Sequence, residues 1–280
     1  MPLLLDSDVG GEGSSVEPLL RWAGSKRSLL AQLIQRRPPG DWRYIEPFAG
    51  SACLFFALQP REAVLGDRNA RLMETYAVVR ERPREVAHLV HAWPTDSVGY
   101  YAVRRELEEN LSPVKRAARF IYLNRLCFNG VYRTNRRGHF NVPYGRDPGA
   151  IPSTERFERC GRFLRRAELI AEDFEVVVAC AQRGDFIYLD PPYSRAASDA
   201  YGVYGYGSFN GRDLDRLLES LRRLDEAGAM VLLSYAWNER LRELGSRWHV
   251  DEVSVRTHVA GVVRARTRRR ELLVRNYRLG

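Results

Sequence analysis

The chain has only four cysteines in 280 residues (Cys53, Cys127, Cys160 and Cys180), and no two of them form a CxxC pair. Neither a zinc site nor a disulfide framework is indicated. Of five histidines, only His88 and His91 lie close together, so no metal site is expected. No apolar run approaches the roughly 20 residues that cross a bilayer. Met1 to Val16 are rich in Ser, Gly and Asp and lack the basic-then-apolar order of a signal peptide. Residues 1–16 therefore read as a disordered lead-in to a cytoplasmic protein with no membrane partner. No internal repeat is visible. Lysine is nearly absent, with Lys26 and Lys115 standing against 42 arginines.

What remains is a hydrophobic fraction of 45%, enough for a packed core and too much for a disordered chain. The net charge is +9, and its distribution matters more than its size. Tyr76 to Arg166 carries 18 basic residues against 9 acidic ones, and Arg256 to Gly280 carries 8 against one. The rest of the chain is net negative. Two basic regions around an acidic body suit a polyanion gripped by a dedicated surface. A solvated, arginine-rich exterior is the plainer alternative.

Arg43 to Pro47 reads as a strand entering a turn, Phe48 to Leu58 as a helix, and Ala63 to Asp67 as a strand ending on an acid. This order begins a doubly wound α/β sheet. From Pro83 to Arg166 the pattern turns helical, with helices expected at Val98–Asn110, Pro113–Arg125 and Thr154–Arg165 around a Gly/Asn-rich segment, Phe128–Arg146. Strands return at Glu168–Ala171, Asp185–Asp190 and Ala229–Ser234, with a helix at Arg212–Ala227. Trp248–Arg256 and Arg270–Tyr277 read as an antiparallel pair. The division expected is a catalytic domain of residues 17–80 and 167–280, interrupted by a basic, mainly helical insertion of residues 81–166.

The most specific short signal is Asp190-Pro-Pro-Tyr193 directly after the apolar Phe186–Leu189. Two prolines fix two φ angles at a strand's carboxyl end and remove two backbone donors. The Asp190 carboxylate and the Pro191 carbonyl then point into the crevice where such sheets bind ligands. Two rigid acceptors beside the Tyr193 ring suit a planar heterocycle bearing an amino group; the alternative is an ordinary Pro-Pro turn. A second signal, Glu46-Pro-Phe-Ala-Gly-Ser-Ala52, is a small-residue turn with one glycine, Gly50, and no dinucleotide fingerprint. Asp67, ending the next strand, stands where a ribose is commonly held. These two weigh evenly against a plain α/β turn. A third is Leu20-Arg-Trp-Ala-Gly-Ser-Lys26, in which a compact ammonium replaces the usual arginine.

Taken in order, these segments resemble the Dam-type (D12 class) adenine-N6 DNA methyltransferases from about Pro18 to Tyr277. Pro18–Lys26 resembles that family's opening motif, Glu46–Gly50 its cofactor loop, and Gly66–Asn69 its ribose-binding strand end. Phe120–Arg125, Phe128–Arg133 and Phe140–Gly145 are similar to its recognition region, and Glu271–Tyr277 to its closing strand. Ala52 stands where many relatives have a second loop glycine. The resemblance implies a Rossmann-like S-adenosylmethionine-dependent methyltransferase sheet with an inserted, mainly helical target-recognition domain. It implies that Trp22, Lys26, Asp67 and Asp190 contact S-adenosylmethionine, with Glu46, Phe48 and Gly50 on the cofactor loop and no metal. Asp190, Pro191 and Tyr193 would hold a flipped adenine. Asn129, Tyr132, Arg133, Asn135, Arg136 and Arg137 would meet double-stranded DNA, with GATC the leading target.

Within that region Arg133 suits a guanine's two major-groove acceptors, a phosphate contact being nearly as good a reading, while Arg136 and Arg137 suit phosphates. The Tyr/Gly run Ala200–Gly207 is either a flap that orders on DNA or a plain loop. A cytosine-N4 or RNA-base methyltransferase, and a DNA-binding module without catalysis, are the rival readings. A monomer is expected, and a companion restriction endonuclease stays open.

Overall fold

The structure, a computed structural model, describes residues 15–22, 24–135, 137–193, 209–258 and 266–279, with the side chains of 255–258 and 266–269 left aside. Most of the expected lead-in, Arg136 and the Tyr/Gly run 200–207 lie outside the described residues. Val16, the last residue of the expected lead-in, is buried, and its N–H donates to the Phe56 carbonyl at 3.3 Å.

In chain order the strands are β1 (Tyr44–Glu46), β2 (Ala63–Gly66), β3 (Ala167–Ile170), β4 (Phe186–Leu189), β5 (Met230–Ala236), β6 (His249–His258) and β7 (Arg266–Arg275). The helices are α1 (Leu30–Gln35), α2 (Cys53–Leu58), α3 (Ala70–Glu81), α4 (Pro83–Ala92), α5 (Ser97–Arg105), α6 (Pro113–Leu126), α7 (Thr154–Leu164), α8 (Phe174–Val178), α9 (Gly211–Ala227) and α10 (Glu239–Arg242). The strands form one sheet ordered β3-β2-β1-β4-β5-β7-β6. β1 to β5 pair in parallel, and β7 runs antiparallel to both β5 and β6. This is the Rossmann-like methyltransferase sheet that the sequence leads one to expect.

Strands buried on both faces read as unbroken apolar runs, and β2 and β4 do so because successive side chains enter different cores. Val64, Ile187, Leu189, Val231 and Leu233 pack on α8 and α9 with Leu217, Leu221 and Leu224. Tyr44, Leu65, Tyr188 and Leu232 face the opposite core, which runs without a break through α2 and α3 into Val86, Val103, Ile121 and Phe157. Helices α4 to α7 thus share their core with the sheet, packing on one another and on α3. Burying each such side chain contributes about 1.5–3 kcal/mol. Between α6 and α7 the described residues make one 3-10 turn, Phe128–Gly130, and bridges Cys127↔Tyr144 and Thr134↔Phe140 close a short hairpin.

Strand order reverses between β1 and β4, so their carboxyl ends flank the crevice of the sheet. The helix expected from Phe48 begins only at Cys53. Gly50 at φ +45° and Ala52 at φ 51°, ψ 38° take the left-handed region, which bends residues 47–52 into a loop. Ala52 follows this path despite its Cβ. At Gly50 a Cβ would lie 2.7 Å from Trp22 Cδ1, so here glycine lets the indole lie against the backbone. Gly50→Ala should therefore lose more stability in urea denaturation than Gly40→Ala. Gly40 also has positive φ but open space around it, so it reports the backbone strain alone, about 1–2 kcal/mol. Equal losses would mean that the Trp22 contact carries no weight.

Candidate active site

Asp67 follows the end of β2 and ties the β1 loop in place. Its Oδ2 accepts the Gly50 N–H at 3.0 Å and its Oδ1 the Asn69 N–H at 2.9 Å. Burial pushes its carboxyl up to about 6, against the pull of those two donors. The Tyr76 hydroxyl donates to the Gly50 carbonyl at 2.6 Å, fixing the same loop from α3. Glu46, at the end of β1, is buried and accepts from the Tyr44 hydroxyl at 3.0 Å. Burial raises Glu46 well above the ordinary carboxyl range, with the Asp190 charge adding to the rise.

Asp190 stands one residue beyond β4. Lys26, on a 3-10 turn at Lys26–Leu29, is buried and donates to Asp190 Oδ1 at 2.5 Å. Burial disfavours its charge, but Asp190, Tyr193 and Glu271 together outweigh this and hold the ammonium protonated far above neutrality. Burial pushes Asp190 upward, opposed by the Lys26 charge and by a hydrogen bond from Ser234 Oγ to Oδ1 at 3.0 Å. Both donors engage Oδ1, and among the described residues none engages Oδ2. Pro191 is buried, and the half-buried Tyr193 lies under Lys26, with Nζ 4.9 Å from the ring centroid. The sequence-expected Lys26, Asp190, Pro191 and Tyr193 thus converge at the carboxyl end of β4.

An aromatic row lines the crevice from there to the β1 loop. Tyr193 meets Tyr235 edge-on at 5.5 Å, Tyr235 approaches Phe209 at 6.4 Å, and Phe209 meets Phe48 edge-on at 6.4 Å. Phe48 in turn stacks on Phe174 at 5.2 Å. Sequence reasoning missed Phe174, Phe209, Ser234 and Tyr235. Phe174 carried a legible signal, an aromatic following Glu172-Asp173 just after a strand.

The opening motif is held by α6. Asn124, fully buried, accepts the Arg21 N–H at 2.8 Å and donates back to the Arg21 carbonyl at 2.6 Å. Arg125 donates through Nε to the Ala150 carbonyl at 2.8 Å. These two residues, matched to a recognition region, are internal struts. Trp22 stacks on Phe120 at 6.4 Å and on Tyr132 at 6.1 Å.

The hairpin residues divide in a way the sequence did not reveal. Tyr132, expected to meet DNA, is 4% exposed and packs on Trp22, Phe120 and Phe140, so its ring belongs to the core. Asn135 is exposed, but its Oδ1 accepts the N–H groups of Arg137 and His139, at 2.9 and 3.0 Å, and shapes the tip. Asn129, Arg133 and Arg137 are exposed, and Arg133 donates through Nε to Asn141 Oδ1 at 2.9 Å. Exposed Phe128 stands at the base of this hairpin.

Among the described residues no helix is long and apolar enough to cross a membrane. A profile of the D12 class N6 adenine-specific DNA methyltransferases matches residues 22–259. The chain is 32% identical over 273 residues to a type II methyltransferase, M1.LlaDCHI, of Lactococcus lactis subsp. cremoris, covering 94% of this chain and 96% of that one. It is 33% identical over 246 residues to the type II methyltransferase M.MjaIII of Methanocaldococcus jannaschii, covering 80% and 85%. A DNA adenine methylase of Serratia marcescens is 31% identical over 260 residues, covering 91% and 96%. Family-wide matches of this extent, on a sheet whose β4 ends in a lysine-paired Asp-Pro-Pro-Tyr, carry one conclusion: the chain belongs to the D12 class of N6 adenine-specific DNA methyltransferases.

Proposed function

We propose that the protein transfers a methyl group from S-adenosylmethionine to the exocyclic amine of an adenine turned out of duplex DNA, with GATC as its target. The observation that carries this reading is Asp190, whose Oδ1 is saturated by Lys26 and Ser234 while Oδ2 is unengaged by any described residue. The residues present fit the methyl donor. Asp67 keeps acceptor capacity on both oxygens for ribose hydroxyls, since each accepts only one backbone bond. The close approach at Gly50 and the Phe48–Phe174 stack offer backbone and an aromatic wall for the rest of the molecule. Trp22 backs this loop, and Glu46 lies behind it. Bound S-adenosylmethionine supplies an electrophilic methyl on a sulfonium.

The adenine amine is conjugated with its ring and is a weak nucleophile. Hydrogen bonds from its two N–H groups to Asp190 Oδ2 and the Pro191 carbonyl favour a more tetrahedral nitrogen, with the lone pair free to attack. Catalysis is then positioning and electrostatics. The cationic amine formed is strongly acidic and releases its proton without a dedicated base. Turning the base out of the stack costs a few kcal/mol, and stacking on Tyr193 returns about 1–3 kcal/mol. The exposed hairpin and the two basic regions supply the grip on DNA. The amine-binding tetrapeptide alone left cytosine and RNA open; family membership favours DNA adenine.

DNA from a methylation-free host expressing the protein should carry N6-methyladenine in GATC, read by modified-base sequencing. Asp190→Asn preserves shape and should lower single-turnover methylation roughly a hundredfold or more. A near wild-type rate would remove Asp190 from the reaction.

Asp67 sets a pH dependence. Its carboxyl is raised to about 6, so the ionised form, the stronger acceptor, grows in as pH rises through that value. Calorimetry should find S-adenosylmethionine bound more tightly at about pH 7 than at about pH 5. Asp67→Asn should flatten the trend and weaken binding roughly tenfold or more, as losing a charged hydrogen bond requires. Unchanged affinity in a folded variant would sink the ribose assignment.

Arg133, steadied at Nε by Asn141, can offer its terminal nitrogens to guanine O6 and N7, worth about 1–3 kcal/mol of discrimination. Arg133→Ala should relax preference at the guanine. Arg137→Ala should weaken binding on all sequences and flatten its salt dependence. If Arg133→Ala lowers activity equally on cognate and guanine-substituted sites, Arg133 is a phosphate anchor.

A further inference from the structure

Ser234 is a polar residue in an otherwise apolar stretch of β5, between Val231-Leu-Leu233 and Tyr235, and it is fully buried. A buried hydroxyl is costly unless bonded, so its two contacts explain its presence. Its Oγ lies 3.0 Å from Asp190 Oδ1 and 2.9 Å from the Tyr188 hydroxyl. Leu189 pairs with Leu233, which sets Ser234 beside Asp190 one step past the last ladder pair. An ionised carboxylate only accepts, so Ser234 must donate to Asp190. Its single proton is then committed, and Tyr188 must donate to Ser234. Burial holds the Tyr188 hydroxyl protonated, as this direction needs.

We propose that Ser234, backed by Tyr188, is a positioning residue for methyl transfer, because its hydroxyl fixes the plane of the Asp190 carboxylate and so aims Oδ2 at the amine. This rests on the reading of Asp190 as the amine's acceptor. The lone pairs of Oδ1 lie close to the carboxylate plane. One ammonium with three equivalent protons leaves that plane free to turn. A second donor from another direction, on β5, removes the freedom. The same bond favours the charged form, which alone has no proton to clash with the amine's N–H.

Asp190 is faced by Lys26 and Tyr193 from the crevice, Tyr188 and Ser234 from β4 and β5, Glu46 from β1 and Cys53 from α2, with Glu271 of β7 beyond Lys26. Of these, Lys26 and Ser234 favour the ionised carboxylate by direct hydrogen bonds. Removing the Ser234 donor therefore raises the pH at which Asp190 ionises. Activity that needs the charged form must then fall off at higher pH than before.

Single-turnover methylation of a duplex with one target adenine, both substrates saturating, tests this across pH. Ser234→Ala should slow the step about tenfold near neutrality. Its acid limb should move up by about one pH unit, with KM for the methyl donor little changed. Ser234→Thr, which keeps the hydroxyl, should restore both rate and limb. Tyr188→Phe should move the limb less, in the same direction, and it carries the test if Ser234→Ala does not fold. An acid limb left in place by these variants, whatever the rate, overturns the proposal by reducing Ser234 to packing. Asp190→Asn at near wild-type rate would instead bring down the reading beneath it.

Discussion

The ion pair between Lys26 and Asp190 joins two points 164 residues apart in the chain, and the site is arranged around it. Taking both charges out of water costs several kcal/mol each, and a buried pair of this kind is often no more stabilising than apolar side chains of the same size. Stability alone therefore does not account for it. Removing one partner is another matter, since an uncompensated buried charge costs about 3–5 kcal/mol. The lysine fixes one oxygen of a carboxylate that the Asp-Pro-Pro turn has already carried to the mouth of the crevice. In a chain with only one other lysine, a compact ammonium here reaches the Gly24 carbonyl, the Tyr193 ring and Asp190 at once.

The pair can form only if the opening motif is itself held, and that is the work of α6. Asn124 grips Arg21 through both its N–H and its carbonyl, as a neighbouring strand would. Gly130 and Gly149 let the chain close over Arg21, where a Cβ would come within 2.5 and 2.6 Å. The hairpin bearing Arg133 leaves from the end of α6, and its buried Tyr132 stacks against Trp22. One aromatic stack thus links the hairpin, which on the function proposed faces DNA, to the opening motif of the crevice. On the function proposed, a base reader and a methylating centre need such a link if the right adenine is to arrive.

Much of this was legible in the sequence where chemistry and backbone coincide. Phe186–Leu189 followed by two prolines admits few structures other than a buried strand that stops abruptly. The β6–β7 pair was legible, although β7 starts at Arg266, four residues before the expected Arg270. The helices α6, α7 and α9 followed from periodicity, with ends close to those observed. The start of α2 did not, because a left-handed alanine at position 52 carries no compositional mark. Tyr132 and Asn135 lay inside a motif that resembled a recognition region, and resemblance does not separate residues that face a ligand from those that shape the loop presenting them. Ser234 was visible as a polar interruption of a strand. Only the parallel register, which sets it beside Asp190, gives that interruption a partner.

Charge is sorted by depth in a way that suits two substrates of opposite sign. The exposed hairpin is basic at Arg133 and Arg137, matched to a polyanion. The carboxyl ends of β1, β2 and β4 carry the less exposed Glu46, Asp67 and Asp190, the last paired with Lys26. Burial favours the neutral form of Glu46, while Asp67, once ionised, adds a negative charge to the crevice beside the Lys26–Asp190 pair. On the function proposed, a sulfonium donor would be drawn to that charge, and its sulfide product, one positive charge poorer, would be held less firmly. Because Asp67 ionises only near pH 6, the same buried carboxyl that knits the loop also sets the pH above which the crevice favours a cation.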